Sequence, residues 1–390
     1  MTAAVMAGEH PRPAWVRDHP RAWVAAVVTV CFGAFMGQLD ASIVALAYPS
    51  IGTDLHAPLS SVAWVSLSYL IALGALLIPV GSAADRYGRK RLYLWGLALF
   101  GLASAGCALA PTLGVLIAVR AVQGVGAAML QANSVALVTT VAPLGRLRLA
   151  VGLQTGAQAL GLALGPVAGG AVVAALGWRW VFGINVPVAL LAFVAGRYLL
   201  PRTRRQNAAV RPGLRAVVVL PGLPRRIVGA AIAYLVLFTP VVLGPIMLLH
   251  RGYSPLVAGC AVACLPVGFA LTGVLGGVAR RGSSPIAARF GVATAIVGAL
   301  LLAALPTGPG YLGLAVAVIG AGLGLYVPAN NTQLMASVPS DLAGSAGALV
   351  SVARAVGTAA GTAMATAYAG DSSLGALILA AIAAAALLAT

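Results

Sequence analysis

Twelve apolar stretches, each about twenty residues long, cover nearly all of this 390-residue chain and constrain its fold more than any other feature. A hydrocarbon core about 30 Å thick is crossed by about 20 apolar residues in a helix. The composition agrees, because 61% of the residues are hydrophobic and only 8% are charged. We therefore expect an all-α membrane protein with spans at residues 22–49, 60–83, 92–110, 112–141, 148–175, 180–199, 227–249, 255–279, 287–305, 310–335, 342–368 and 374–390.

The net charge of +17 is explained by membrane topology and does not require a nucleic-acid partner. With the amino terminus inside, twenty of the twenty-four Lys and Arg residues fall on the cytoplasmic side. Arg179 and Arg251 fall outside, and Arg120 and Arg354 lie within spans. Positive side chains concentrate in the cytoplasmic loops of membrane proteins. We therefore expect a multi-pass protein of the cytoplasmic (inner) membrane with both termini in the cytoplasm.

A basic interruption at residues 201–226, which contains prolines and glycines, divides the spans six and six. It predicts a cytoplasmic tail at residues 1–21, a six-helix bundle at 22–200, a cytoplasmic linker at 201–226 and a second six-helix bundle at 227–390. Transporters built from two repeated halves have this layout, with the substrate site between the halves.

A charged turn with the sequence GSAADRYGRKR joins the second and third spans at residues 81–91. Topology alone accounts for its cations, but not for the register of its glycines and its carboxylate. The string resembles the gating signature that the major facilitator superfamily carries in this loop, on Gly81, Asp85, Arg86, Gly88 and Arg89. We expect Asp85 to reach the positive amino end of the eleventh span and to stabilise the outward-open state.

Three more strings are similar to those of the drug:proton antiporter branch of that family, which has a fourteen-helix pattern. They are LDASIVALAYP at residues 39–49, RAVQGVGAA at 120–128 and GLALGPVAGG at 161–170. The last is similar to the antiporter motif, on Gly161, Gly165, Pro166, Gly169 and Gly170. The linker lacks the two extra helices of that branch, so the chain resembles a fourteen-helix exporter reduced to twelve.

The resemblance implies the major facilitator fold, in which two six-helix bundles surround a central cavity. It also implies proton-driven export of hydrophobic or amphipathic small molecules by a monomer in the lipid bilayer. The proton gradient would be the energy source, with no cofactor and no metal.

Asp40 is the only acidic residue well inside the apolar spans, and Arg120 is its expected partner. At 1.5 Å per residue, both lie about 12 to 13 Å from the outer ends of their helices. A buried carboxylate is costly unless it is paired or protonated. We expect the making and breaking of this pair to couple proton movement to transport, and a static structural pair is the alternative.

Glycines recur every four or five residues along the fifth span, and they predict a face that another helix approaches closely. They are Gly152, Gly156, Gly161, Gly165 and Gly169, and Pro166 permits a bend. The resemblance implies that this face meets the other half of the protein and seals the outer side of the cavity.

Arg354, in the eleventh span, should face the central cavity beside Arg120, because exposure to lipid is too costly. With Asp40 protonated, such a cavity favours neutral or anionic amphiphiles. Tyr69, Phe238 and Tyr326 are candidates for its apolar walls. Neutral amides within the spans are further candidates for the cavity: Gln123, Gln131, Asn133, Gln154, Gln158, Asn330 and Gln333.

Other function classes find less support in the sequence. No G-x-x-x-x-G-K-[ST] loop is present, which disfavours direct ATP coupling. The spans hold no nucleophile–base–acid set, because all four histidines lie at loops or helix ends, so an enzyme is not expected. The alternatives are a facilitator or proton-coupled importer of a small metabolite, and a membrane receptor or scaffold that does not transport.

Overall fold

A computed structural model of the chain describes Pro13 and residues 21–143, 146–201, 219–278, 285–304, 308–339, 342–368 and 377–382. These residues are helical nearly throughout, and none of them forms a strand. An apolar segment in a bilayer must satisfy its backbone N–H and C=O groups internally, which an α-helix does.

The first half contains six long helices. They are α1 (Ala22–Ile43), α2 (Trp64–Tyr87), α3 (Arg89–Ala108), α4 (Leu113–Val141), α5 (Leu147–Leu176) and α6 (Asn185–Leu199). Helix α1 continues through a 3-10 turn, Val44–Ala47, into a short helix, Tyr48–Asp54. Two more short helices, Leu59–Val62 and Arg179–Gly183, precede α2 and α6.

The second half contributes five more long helices within the described residues. They are α7 (Leu223–His250), α8 (Pro255–Val278), α9 (Pro285–Ala303), α10 (Pro309–Ala336) and α11 (Ala343–Ala367). Eleven helices in the described part of the chain are thus long and apolar enough to cross a membrane. The twelfth expected span, 374–390, lies outside that part except for residues 377–382, which are helical.

The start of α7 differs from the expected boundary of the linker. The helix begins at Leu223, so Arg225 and Arg226 lie in its first turn and not in a loop. A proline occupies one of the first two helical positions, where its missing N–H would be unpaired in any case. Residues 202–218 of the expected linker lie outside the described residues.

Helix α1 packs on α5, and α4 packs on α2 and α3. In the second half, α10 packs on α8 and α9, and α11 packs on α7. The two halves meet where α5 contacts α8 and where α2 contacts α11. We call the end of the bundle at which α1 begins the near end, and the opposite end, where α5 ends, the far end.

At the near end, one glycine separates α2 from α3, and a buried lysine ties α3 to α6. Gly88 has a φ of +100°, which residues other than glycine rarely adopt. The Lys90 Nζ donates to the carbonyl oxygens of Arg197 (2.9 Å) and Leu200 (2.7 Å). Carbonyl groups at the end of a helix lack helical partners, so Lys90 fixes the near end of α6.

Candidate functional site

The Asp40 carboxylate lies in the interior of the first half, paired with Arg120. Asp40 comes from α1 and Arg120 from α4, and both side chains are 0% exposed. The Arg120 Nη1 donates to the Asp40 Oδ2 over 2.7 Å. Two apolar helices therefore bring the expected partners into direct contact.

Two amide side chains complete the surroundings of the carboxylate. The Asp40 Oδ1 accepts hydrogen bonds from the Gln123 Nε2 (3.1 Å) and from the Asn185 Nδ2 at the start of α6 (3.0 Å). Gln123 also donates to the Ser104 Oγ of α3 (2.9 Å) and accepts from Arg120 (2.7 Å). The carboxylate thus accepts three hydrogen bonds from N–H groups, one on Oδ2 and two on Oδ1.

The Arg120 guanidinium is held by more than its carboxylate. Its Nε donates to the carbonyl oxygen of Val65 over 3.0 Å. Its central carbon lies 4.3 Å from the centroid of the Tyr69 ring and 5.4 Å from that of Phe182. Aromatic faces attract a cation at these distances. Its Nη2, in contrast, is buried without a hydrogen-bond partner.

A cavity lies between the two halves and extends from the depth of Asp40 toward the near end. Its lining on α1 runs from Gly33 to Ala41, and its lining on α4 follows Arg120 by seven or more residues. Helices α2, α5, α7 and α11 provide the rest of the wall. The polar side chains that line it are Gln38, Gln131, Ser134, Gln158, Ser351, Arg354 and Thr358, and the aromatic ones are Tyr69, Tyr234 and Phe238.

Arg354 lines this cavity as expected, but Arg120 does not, which corrects the expectation of two cations in one cavity. Arg120 is fully buried, and the Tyr69 ring, which lines the cavity, lies against its guanidinium. The depth of a residue along a helix follows from the sequence, but the direction of its side chain depends on how the helix is rotated. Arg120 points into the first half, and Arg354 points between the halves.

Most of the amides expected in the cavity bridge helices instead. Only Gln131 and Gln158 line it. Gln123 belongs to the Asp40 site, and Tyr326 is buried away from the cavity lining. The other amides have local partners: Asn133 bonds Met129, Gln154 bonds Ser134, and both Asn330 and Gln333 bond Arg226.

The glycine face of α5 packs mainly on α1 of the same half, which corrects the partner expected for it. A Cβ atom on Gly161, Gly165 or Gly169 would clash with atoms of α1 between Phe35 and Ile43. Gly152 and Gly156 face open space, because a Cβ atom there would meet no described atom within 4 Å. The periodicity predicts a close approach, but it does not say which helix approaches.

A different part of α5 does meet the other half, close to the far end. A Cβ atom on Gly170 would clash with the backbone carbonyl of Pro255 in α8. Reciprocally, a Cβ atom on Gly259 would clash with the backbone carbonyl of Pro166. The two helices are thus in backbone contact here, and Pro166 and Gly170 are the antiporter-motif residues that lie in this contact.

The expected gating motif is only partly described. Gly88 forms the turn between α2 and α3, and Arg89 begins α3. Arg86 is exposed, with its guanidinium 5.5 Å from the Tyr87 ring, and a Cβ atom on Gly81 of α2 would meet no described atom within 4 Å. The Asp85 side chain lies outside the described residues, as does most of the first turn of α11 that it was expected to reach.

Sequence reasoning missed several residues of the site. Asn185 is the only amide in the sixth span, and a lone amide in an apolar span is a signal that could have indicated its role. Ser104, Ser351 and Thr358 gave no such signal, because small hydroxyl side chains can donate to a backbone carbonyl of their own helix, as all three do. Gln38, two residues before Asp40, gave the same signal as the amides that were proposed.

Comparisons with known proteins agree with this architecture. The Major Facilitator Superfamily profile matches residues 30–362. The chain is 36% identical over 219 residues, 55% of its length, to the tetracenomycin C resistance and export protein of Streptomyces glaucescens, and this match covers 40% of that protein. It is 27% identical to the riboflavin transporter RibZ of Clostridioides difficile, over 86% of this chain and 87% of that protein.

A solved structure has the same fold. It is the crystal structure of a bacterial homolog of the human lysosomal transporter Spinster, in an inward-facing and unoccupied conformation. The TM-score is 0.73 at 18% identity, and the match covers 95% of this chain and 93% of that one.

Proposed function

Because the chain belongs to the major facilitator superfamily, we propose that it is a proton-coupled exporter of hydrophobic or amphipathic small molecules. Members of this family carry small molecules across membranes. The chain is therefore a transporter and not an enzyme, and it needs no cofactor. To this family assignment we add that transport is coupled to protons, that it is outward and that the substrates are hydrophobic or amphipathic.

One observation supports proton coupling above the others: the only acidic side chain described within the membrane interior lies beside the substrate cavity without lining it. Asp40 is fully buried, and Tyr69 lies between Arg120 and the cavity. A rearrangement that separates Asp40 from Arg120 would leave an uncompensated buried carboxylate, which is strongly unfavourable. Protonation of Asp40 removes that cost, so proton binding and helix movement are linked.

The relatives support export, but they also favour a second candidate. The tetracenomycin protein is named for resistance and export, and a puromycin resistance protein of Streptomyces alboniger is 40% identical over 49% of this chain and 38% of that protein. The riboflavin transporter, in contrast, matches along most of both chains. We therefore keep transport of a metabolite as the alternative function. We further propose that the protein is a monomer in the cytoplasmic membrane, with the near end in the cytoplasm.

The test is gradient-driven transport in proteoliposomes for the wild type, Asp40→Asn and a matched control, Asp54→Asn. Asp54 is at the far end, is about half exposed, and pairs with Arg179 (2.6 Å). Exposed pairs contribute little to stability, so this control removes one negative charge outside the site. The substrates are a panel of dyes and antibiotics, together with riboflavin, with and without an imposed pH gradient.

We expect Asp40→Asn to lose accumulation driven by the pH gradient and to keep substrate exchange at equal pH, because Asn has the shape of Asp but does not titrate. Asp54→Asn should keep both activities. Wild-type accumulation by Asp40→Asn would remove Asp40 from the coupling mechanism. Transport of riboflavin alone, or transport without any gradient, would favour the metabolite transporter.

A further inference from the structure

Arg354 is the only charged side chain that lines the cavity in the described part of the chain. Asp40 cannot balance it, because Asp40 is fully buried and already accepts hydrogen bonds from Arg120, Gln123 and Asn185. The remaining polar groups of the lining are neutral amides and hydroxyls. The described wall of the cavity therefore carries one uncompensated positive charge.

The surroundings of Arg354 leave its hydrogen-bonding capacity unused. Its Nε is buried and has no hydrogen-bond partner, and its guanidinium donates to no side chain or carbonyl group of the described residues. The central carbon of the guanidinium lies 4.6 Å from the centroid of the Tyr234 ring. Stacking on an aromatic ring holds a planar guanidinium in place while its edge stays open to an acceptor.

Aromatic side chains stand on both sides of the cavity. Tyr69 of α2 belongs to the first half, and Tyr234 and Phe238 of α7 belong to the second. Tyr234 and Phe238 are themselves stacked, with ring centroids 6.4 Å apart and an interplanar angle of 19°. Both rings line the cavity beside Arg354, with Phe238 only 3% exposed behind Tyr234.

We propose that the cavity selects ligands that combine an aromatic ring system with an anionic group, and that Arg354 binds the anionic group. The inference rests on the proposed transport function and names its substrate class. The anionic group, a carboxylate or an ionised phenol, pairs with the guanidinium edge, and the ring system packs on Tyr234 and Phe238. A cationic ligand of the same shape meets an unbalanced positive charge in a medium of low dielectric constant.

Two dyes that share one ring frame and differ in charge provide the test: fluorescein, an anion at pH 8, and rhodamine 123, a cation. Binding of each dye to detergent-purified protein is measured by fluorescence anisotropy, which requires no proton gradient and no transport. The variants are Arg354→Gln, Arg354→Lys and the control Arg289→Gln. Arg289 is exposed on α9 and does not line the cavity, so its loss changes the net charge alone.

We expect the wild type and Arg289→Gln to bind fluorescein more tightly than rhodamine 123. Arg354→Gln should reduce that preference by about tenfold or more, as for the loss of one charge-assisted hydrogen bond. Arg354→Lys should keep part of the preference, since it keeps the charge but not the planar fork.

Equal or tighter binding of rhodamine 123 by the wild type would overturn the proposal even if the variants failed to fold. An unchanged dye preference in a folded Arg354→Gln would overturn it as well. Failure of proton coupling in proteoliposomes, with the dye preference intact, would instead contradict only the proposed mechanism of transport.

Discussion

The Asp40 carboxylate accepts hydrogen bonds from two other helices. The contribution of each donor to the stability of the protein can therefore be measured. Asn185 provides one of these donors and is 1% exposed. We predict that Asn185→Ala lowers the free energy of unfolding by about 1–3 kcal/mol, the cost of leaving a buried carboxylate short of one partner. Thermal or denaturant unfolding of the purified protein in detergent measures this change.

Asn133→Ala is the matched control, because Asn133 is also an amide and is 0% exposed. Its Nδ2 donates to Met129 within the same helix, and its Oδ1 has no partner. The control therefore removes one hydrogen bond within a single helix and an amide oxygen that makes no hydrogen bond. If both variants lose the same stability, the hydrogen bond from Asn185 to Asp40 stabilises the protein no more than the bond of Asn133 within its own helix.

The sequence is sufficient to predict that Asp40 and Arg120 meet, but not what surrounds them. Charged residues within apolar spans are rare and costly, so two of opposite sign at equal depth have few alternatives to pairing. Arg354 and Arg120 looked equivalent by the same reasoning, yet they face different environments. Each of these helices also carries other polar residues, so polarity alone does not indicate whether a given charged side chain faces the interior of a half or the cavity.

Helix α5 uses its glycines for two contacts. Toward the near end its glycine row faces open space at Gly156, its middle packs on α1, and toward the far end Gly170 contacts α8. We predict that Gly170→Ala forces α5 and α8 apart, costs about 1–3 kcal/mol of stability as overpacking does, and reduces transport. Gly156→Ala carries the same substitution and should change neither property.

Unfolding in detergent and uptake into proteoliposomes would be measured for both glycine variants. A folded Gly170→Ala with full transport would show that the backbone contact with Pro255 is not needed during the transport cycle. Equal losses in both variants would indicate that α5 itself, and not its contact with α8, is sensitive to substitution.

The long helices were easier to predict than the contacts between them. Each span is recognisable from its sequence, because an apolar segment in a bilayer must form a helix to hydrogen-bond its backbone N–H and C=O groups. The short turn at Gly88 also followed from the sequence. The bond from Lys90 to the end of α6 did not, because the charge of Lys90 was already explained by topology and its partners are carbonyl oxygens, which every residue has.

Among the described residues, the two halves are in backbone contact toward the far end of the molecule. This contact joins α5 and α8 at Gly170 and Gly259, whereas toward the near end a Cβ atom on Gly152 or Gly156 would meet no described atom within 4 Å. The cavity extends from the depth of Asp40 toward the near end. In the topology proposed above, this is the arrangement of a transporter that opens to the cytoplasm.

Access to a single cysteine tests that arrangement. Gln158 lines the cavity from α5. In a background without the four native cysteines, we predict that Gln158→Cys reacts with a membrane-impermeant thiol reagent in inside-out vesicles and not in right-side-out vesicles. The reason is that the reagent can reach the cavity in water only from the near side, which we place in the cytoplasm.

Thr53→Cys is the control for sidedness, because Thr53 is exposed at the far end and should react only in right-side-out vesicles. If both cysteines react from the side opposite to the one predicted, the topology is inverted but the closed far end stands. If Gln158→Cys reacts from both sides while Thr53→Cys reacts from one, the resting protein also opens through the contact between α5 and α8. The two outcomes separate the orientation of the chain from its conformation, and the positive-inside pattern addresses only the first.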